Sequence, residues 1–176
     1  ARGAGYQIRL INDNNEVCGP GEMGVLEVSG PSSAIMYWGQ RQKTKDTFKG
    51  TWTRTGDNYS ISEEGVMTYG GRNDDMLKVG GIYVSPFEVE AALIKHEAVL
   101  EAAVVGNNDQ DGLVKPKGFI VLNKNFIGSD ELASELINFV KTNLAEYKYP
   151  RWIEFLDELP KTATGKIQRF KLRTAS

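Results

Sequence analysis

The chain has little of several things, and each scarcity excludes a class of function. One cysteine, Cys18, and one histidine, His96, occur among 176 residues. A single thiol rules out an internal disulfide and a cysteine metal cluster, and it suits a reducing compartment. The formal net charge is −2, with both signs interspersed, so the basic footprint expected of a nucleic-acid-binding domain is missing. No run of about 18 apolar residues occurs, and no helical membrane span is expected. No secretory leader is expected either, and Ala1 in place of Met suggests a chain cut from a longer one. A cytoplasmic setting is the expectation. What the chain does have is the material of a packed core: 40% hydrophobic and 25% charged residues, ordinary values for a globular protein. Its length fits one domain of usual size or two small ones.

The first 70 residues read as β-rich. Tyr6 to Ile11 alternates and runs into the turn cluster Asn12 to Asn15, and Gly24 to Ser29 is a second strand closed by Gly30-Pro31. Gln40 to Lys49 has the charge of a short helix, and Thr51 to Thr55 and Val66 to Tyr69 read as further strands. A small barrel or a distorted sheet is expected. Near Gly70 to Asp75 the texture changes to alternating elements. Strands are expected at Met76–Val79, Glu101–Val105, Gly118–Leu122 and Ile153–Leu156, and helices at Pro86–His96, Ser129–Leu144 and Gln168–Thr174. Ser85-Pro86 supplies an N-cap and a first-turn proline, with Val89, Ala92 and Leu93 as the buried stripe. Ser129 caps a helix that carries Leu132, Leu136, Phe139, Val140 and Leu144 on one face. The fold class is α+β, with a β-rich, barrel-like piece over 1–73 and a small mixed α+β domain over 74–176.

Three segments carry candidate chemistry. Pro160 to Arg169 (PKTATGKIQR) places Lys166 after a Thr-Gly pair on what reads as a flexible tail, where an amine can reach an anionic partner. It is not a phosphate-binding loop, which needs Gly where Pro160 stands and Ser or Thr where Ile167 stands. Thr53 to Asp57 (TRTGD) puts a carboxylate after a glycine turn, an arrangement that accepts paired hydrogen bonds from vicinal hydroxyls; a plain β-turn with Asp in its usual place fits the same residues. Gly71 to Glu90 (GRNDDMLKVGGIYVSPFEVE) contains an Asp-Asp pair preceded by glycines, suited to a pivot.

Together these segments resemble the adenylate-forming superfamily, which includes acyl-CoA synthetases, firefly luciferase and peptide-synthetase adenylation domains. The resemblance implies a role for each matching residue. Lys166 would orient the carboxylate and ATP during adenylation, and Lys78 would face the site during thioester formation. Asp57 would hold the ribose of ATP, Arg72 would bind ribose or phosphates, and Gly81 would line the pantetheine tunnel. Asp74 would be the hinge between two catalytic conformations. The implied substrates and cofactors are a carboxylic acid, ATP, CoA and Mg²⁺, with no resident metal site. The loop Asn107 to Lys117 looks like that of benzoate-CoA ligases, which implies an aryl acid. Lys115 and Lys117 would then lie toward CoA phosphates.

The remaining features have bland readings. Asp109 and Asp111 lack the spacing and terminal Glu of a calcium loop. His96 ends a helix and is read as structural, Cys18 has no partner base, and Tyr147, Tyr149 and Trp152 around Pro150 are expected to pack the last element on the core. The resemblance covers nearly the whole chain but only the last third of such an enzyme. The phosphate loop, adenine site and acyl pocket would belong to an upstream N-terminal domain, and the 176 residues alone are expected to be inactive. Two other readings share the same residues: an adenylation domain that loads a carrier-protein phosphopantetheine, and an interaction module without chemistry.

Overall fold

A computed structural model describes residues 5–174. The chain separates into two compact units, divided between Asp74 and Asp75. The first unit is one antiparallel sheet: β1 (Gln7–Ile11), β2 (Gly24–Ser29), β3 (Phe48–Lys49), β4 (Trp52–Ile61) and β5 (Met67–Arg72), with a short helix α1 (Arg41–Thr47). β2 pairs with one edge of β4, while β3 and β5 share the other edge, one at each end of this ten-residue strand. Of the two expected forms, the distorted sheet describes these pairings. β4 runs six residues past its expected end at Thr55 because irregularities in register let it continue.

One row across this sheet is ionic. Arg9, Glu27 and Arg54 are direct cross-strand neighbours on β1, β2 and β4. The Glu27 carboxylate is buried, and it accepts from Arg9 Nε and Nη2 at 2.9 and 2.8 Å and from Arg54 Nε at 3.0 Å. Two guanidinium forks therefore satisfy a carboxylate that would otherwise be costly to desolvate. The Arg9 guanidinium also stacks 4.1 Å from the centre of the Trp52 ring.

The second unit is α+β. A hairpin of β6 (Leu77–Val79) and β7 (Ile82–Val84) leads into α2 (Pro86–Leu93), followed by β8 (Val99–Asn108), β9 (Val114–Leu122), α3 (Asp130–Asn143), β10 (Trp152–Phe155) and α4 (Arg169–Thr174). The sheet order is β10-β9-β8, with β10 parallel to β9 through the α3 crossover. Both caps form as expected: Ser85 Oγ accepts from Glu88 N–H at 3.3 Å and Ser129 Oγ from Leu132 N–H at 3.2 Å. α2 ends at Leu93 rather than His96, whose N–H turns back to the Leu93 carbonyl.

Strand alternation gives this sheet two apolar faces. Ala102, Val104 and Ile120 face a layer built from α2, α3 and the β6–β7 hairpin, with Leu77, Val79, Val89, Leu93, Leu136 and Val140 buried there. Ala103, Val105, Phe119 and Val121 face the opposite way, onto Leu159, Ile167 and Leu172 of the C-terminal segment. The two layers are joined at the open edge of β8. Buried Glu90 of α2 accepts from Val104 N–H at 2.8 Å, and Arg169 of α4 donates to both of its oxygens at 2.8 Å. The Arg169 guanidinium also lies 4.4 Å from the Phe87 ring centre.

A buried ion pair adds little over a well-packed apolar pair, but losing one partner strands the other charge. Arg169→Met is therefore expected to destabilise the second unit by about 3 kcal/mol in urea unfolding. Glu90→Gln added to it recovers part of that loss. A cost for Arg169→Met alone of less than about 1 kcal/mol, the range of an exposed pair, would show that the pair does not join the layers.

Candidate functional site

The expected site residues fall into two groups, one in each unit, with Asp74 at the division. In the first unit, the bulge in β4 is the Thr55-Gly56-Asp57 triplet itself. Five residues of β4, from Arg54 to Asn58, oppose three of β2, from Glu27 to Val25. Gly56 takes φ +80° there, a conformation open to glycine at little cost. Thr55 Oγ1 donates to the Leu26 carbonyl at 3.0 Å and accepts from Asp57 N–H at 3.1 Å, which locks the turn. The bulge re-aims Asp57, as bulges beside functional sites do. Across the ladder Asp57 pairs with Arg72 of β5, with Nη1 3.4 Å from Oδ1. A Cβ on Gly56 would stand 3.3 Å from Arg72 Nη2, so the glycine also leaves room for the guanidinium. The side chains are 31% and 54% exposed. The result is an accessible pair, acceptor oxygens beside a fork of donors, matched in chemistry to a sugar diol next to a phosphate.

The second unit carries the two lysines on separate elements. Lys78 lies on β6, opposite Tyr83 of β7, with its ammonium 5.5 Å from the Tyr83 ring centre. Gly80 and Gly81 form the two-residue turn of this hairpin at φ +57° and +86°. Both central residues need positive φ in such a turn, which is why a Gly-Gly pair serves. A Cβ on Gly81 would meet nothing within 4 Å, so backbone conformation rather than crowding explains the glycine within this chain. The Gly-Gly dipeptide between Val79 and Ile82 was a legible hairpin signal, and β7 is an element the sequence reading did not include.

Lys166 sits in a closed turn rather than on a loose tail. Thr162 N–H donates to the Lys166 carbonyl at 2.8 Å, Gly165 N–H to the Thr162 carbonyl at 2.9 Å, and Gln168 N–H to the Pro160 carbonyl at 2.8 Å. Thr162 Oγ1 accepts from Lys166 N–H at 3.1 Å. A bridge between Lys161 and Ile167 closes the turn, and the Lys161 ammonium pairs with Glu101 at 2.6 Å. Gly165 holds φ +82°. The Thr-Gly pair is thus turn chemistry that presents an exposed lysine from a fixed base.

The hairpin of Lys78 packs on one face of the β8–β9–β10 sheet and the turn of Lys166 on the opposite face. The segment expected to act as a pivot is anchored on both sides. Asn73 Oδ1 accepts from Asn58 Nδ2 at 3.3 Å within the first unit, and Asp75 pairs with Arg173 at 2.6 Å within the second. Asp74 stands between those anchors in a single turn of 3-10 helix, Asn73–Asp75.

The remaining candidates have structural partners. Asp109 Oδ1 accepts from the N–H groups of Asp111 and Leu113 at 3.0 and 2.9 Å, which makes it the builder of a tight β8–β9 hairpin turn. Lys117 pairs with Glu154 at 2.9 Å and lies 4.9 Å from the Phe119 ring centre, while Lys115 is 4.0 Å from Asp109. His96 Nδ1 accepts from Ala98 N–H and Nε2 lies 3.2 Å from Glu135, with the ring edge-on to Phe139. Tyr149 packs on the core, but Tyr147 and Trp152 are each 36% exposed, a departure from the expected packing of all three. Cations also lie over two of these rings: the Arg151 guanidinium is 3.8 Å and the Lys141 ammonium 4.4 Å from the centre of Tyr149, and the Lys148 ammonium is 5.9 Å from that of Tyr147.

Residues 88–166 match the model of the AMP-binding enzyme C-terminal domain. The chain is 62% identical over 172 residues to a benzoate–CoA ligase of Thauera aromatica, covering 97% of this chain and 33% of that protein. It is 54% identical over 170 residues to a 4-hydroxybenzoate–CoA/benzoate–CoA ligase of Rhodopseudomonas palustris, covering 96% of this chain and 32% of that protein. Among solved structures, a benzoate CoA ligase from Burkholderia xenovorans superposes with a TM-score of 0.85 at 55% identity, over 97% of this chain and 34% of that one. An anthranilate CoA ligase in complex with anthranoyl-AMP superposes with a TM-score of 0.87 at 49% identity, over 98% of this chain and 33% of that one. The chain belongs to the adenylate-forming superfamily, and its second unit has the fold of that family's C-terminal domain. It spans about a third of the length of these relatives.

Cys18 stands apart from both groups. Burial, with Glu22 adding like charge, pushes its thiol up to about 11. Only the thiolate is a nucleophile, so Cys18 is expected to react with iodoacetamide at pH 8 about a hundredfold more slowly than a thiol of ordinary pKa. The rate should climb until the pH passes about 11. A rate that levels off near pH 9 would contradict this environment.

Proposed function

We propose that the chain is the C-terminal third of an ATP-dependent carboxylate–CoA ligase acting on an aryl acid such as benzoate. In the first step a carboxylate oxygen of the acid bonds to the α-phosphorus of ATP, the bond to the β-phosphate breaks, and pyrophosphate leaves. In the second the CoA thiolate attacks the acyl carbonyl, and AMP departs with the electron pair of the broken bond. The observation that carries this reading is the placement of Lys78 and Lys166 on opposite faces of one sheet. A rigid body so built offers one lysine or the other to a fixed site as it turns, and a pivot at Asp74 supplies the turn.

Each residue has a physical task in this scheme. Lys166 neutralises charge on the carboxylate and bridging oxygens, a contribution that grows as water is excluded. The Asp57 carboxylate accepts from the ribose hydroxyls, and Arg72 donates to ribose or phosphate oxygens, consistent with their accessible pairing. Lys78 faces the site in the thioester-forming orientation, and Gly81 keeps the β6–β7 turn low beside the pantetheine arm. Mg²⁺ accompanies ATP chiefly through phosphate oxygens. A cytoplasmic setting suits ATP and CoA as co-substrates, and no helix among the described residues is long and apolar enough to cross a membrane. The aryl preference rests on the benzoate, hydroxybenzoate and anthranilate ligases among the relatives. The acyl pocket, phosphate loop and adenine site belong to an upstream domain of the same protein, and the 176 residues alone do not turn over.

Substitutions in the intact protein separate the two steps. Lys166→Ala is expected to lower benzoate-dependent pyrophosphate exchange by about 10² or more, the scale of one lost electrostatic stabiliser. It should leave thioester formation from supplied benzoyl-AMP within about threefold of wild type. Lys78→Ala is expected to do the reverse. Full exchange activity in Lys166→Ala, or exchange lost in Lys78→Ala with the thioester step spared, would overturn the assignment. Transfer to a carrier-protein phosphopantetheine and not to CoA would overturn the choice of acceptor.

A further inference from the structure

The two lysines differ in how they are connected to the pivot. Lys78 follows Asp75 by three residues on the chain, so its covalent path to the pivot is short. Lys166 lies some ninety residues further on, and its link to the pivot runs through side chains. α4 supplies that link. Arg169, at its start, is bonded to both oxygens of Glu90. Leu172 is 3% exposed in the core layer that also receives Ile167, the residue after Lys166. Arg173 Nη2 donates to Asp75 Oδ1 at 2.6 Å, with side chains 38% and 23% exposed. A six-residue helix thus carries consecutive attachments to α2, to the core and to the residue beside the pivot. Its N-terminus is continuous with the Lys166 turn, where Gln168 N–H bonds to the Pro160 carbonyl.

We propose that Arg173 and Asp75 are positioning residues: their ion pair makes α4 a strut that ties the Lys166 turn to the second unit's side of the pivot. The proposal rests on the ligase reading for its consequence in activity but not for the strut itself. With the pair intact, rotation at Asp74 carries Lys166 as part of one body, and the angle at the pivot sets where its ammonium arrives. With the pair broken, the C-terminal end of α4 loses its hold on Asp75, and the Lys166 turn is left with the attachments through Glu90, the Leu172 and Ile167 core layer and the Lys161–Glu101 pair. Lys78 is unaffected, because its hairpin is held by Leu77 and Val79 on the other face. The selective effect on one lysine distinguishes positioning from general stability.

Two measurements on Arg173→Gln test this. In the 176-residue chain, hydrogen exchange at the amides of Gly165 and Lys166, which bond to Thr162, is expected to accelerate about tenfold, while Val104 N–H keeps its protection. Unchanged exchange in the turn, or equal acceleration at Val104, overturns the strut. In the intact enzyme, pyrophosphate exchange with benzoate is expected to lose about tenfold in kcat with KM for ATP within about twofold. That is the scale of a misplaced reacting group. Thioester formation from benzoyl-AMP should stay within about twofold. Arg173→Lys, which restores a cation, should recover most of the lost kcat. Equal loss in both steps, or no recovery by lysine, overturns the positioning role. An accelerated turn in an intact protein that shows no benzoate-dependent exchange even as wild type would leave the strut standing and refute the ligase reading.

Discussion

The Glu90 carboxylate sits where both layers of the second unit meet the open edge of its sheet, and the geometry of that unit depends on what it holds. It takes the N–H of Val104, which the edge strand β8 would otherwise leave without a ladder partner, and it takes the guanidinium fork of Arg169. One group therefore closes a strand edge, fixes α2 against the sheet and draws in α4 from the opposite face. Burial makes this demanding. A carboxylate so enclosed has to be fully bonded, so the sequence is committed to an arginine at one place on a short helix. The Lys166 turn precedes that arginine directly, and its direction follows from the bond.

The first unit solves a related problem differently. Glu27 is equally buried, but its partners Arg9 and Arg54 come from neighbouring strands in one cross-strand row. This row stiffens the sheet that presents the Thr55-Gly56-Asp57 bulge. Asp57 and Arg72 are left accessible, at the place where register slips and the strand is free to aim a carboxylate outward. For the binding role proposed for this pair a stiff scaffold matters, because a binding group held loosely spends affinity on its own ordering.

Much of this was legible in the chain. Capping by Ser85 and Ser129 and the buried stripes of α2 and α3 followed from local rules, because caps and periodicity act within a few residues. The motif from Gly71 to Glu90 and the ten residues around Lys166 pointed to the same family as the comparisons. What stayed hidden is non-local. Nothing near Glu27 or Glu90 in sequence announces partners 27 or 79 residues away. The lysine segment read as a flexible tail because its anchors, Glu101 for Lys161 and Glu90 for Arg169, lie in other elements. The TGD triplet read as a turn, and it proved to be a bulge within a long strand, since the neighbouring strands decide whether pairing resumes beyond a glycine. The opposite placement of Lys78 and Lys166 required the sheet itself, as no local pattern tells which face a distant segment will cover.

The central claim is that the second unit is one rigid body that presents its two faces in turn by rotating at Asp74. Spin labels on exposed Glu63→Cys and Glu97→Cys, one in each unit, placed in the intact enzyme with other reactive cysteines removed, measure that rotation through pulsed dipolar distances. The account predicts one distance with benzoate and a non-hydrolysable ATP analogue and a second, separate distance when a benzoyl-AMP analogue and CoA are both present. A single distance distribution, the same under both conditions, would contradict it.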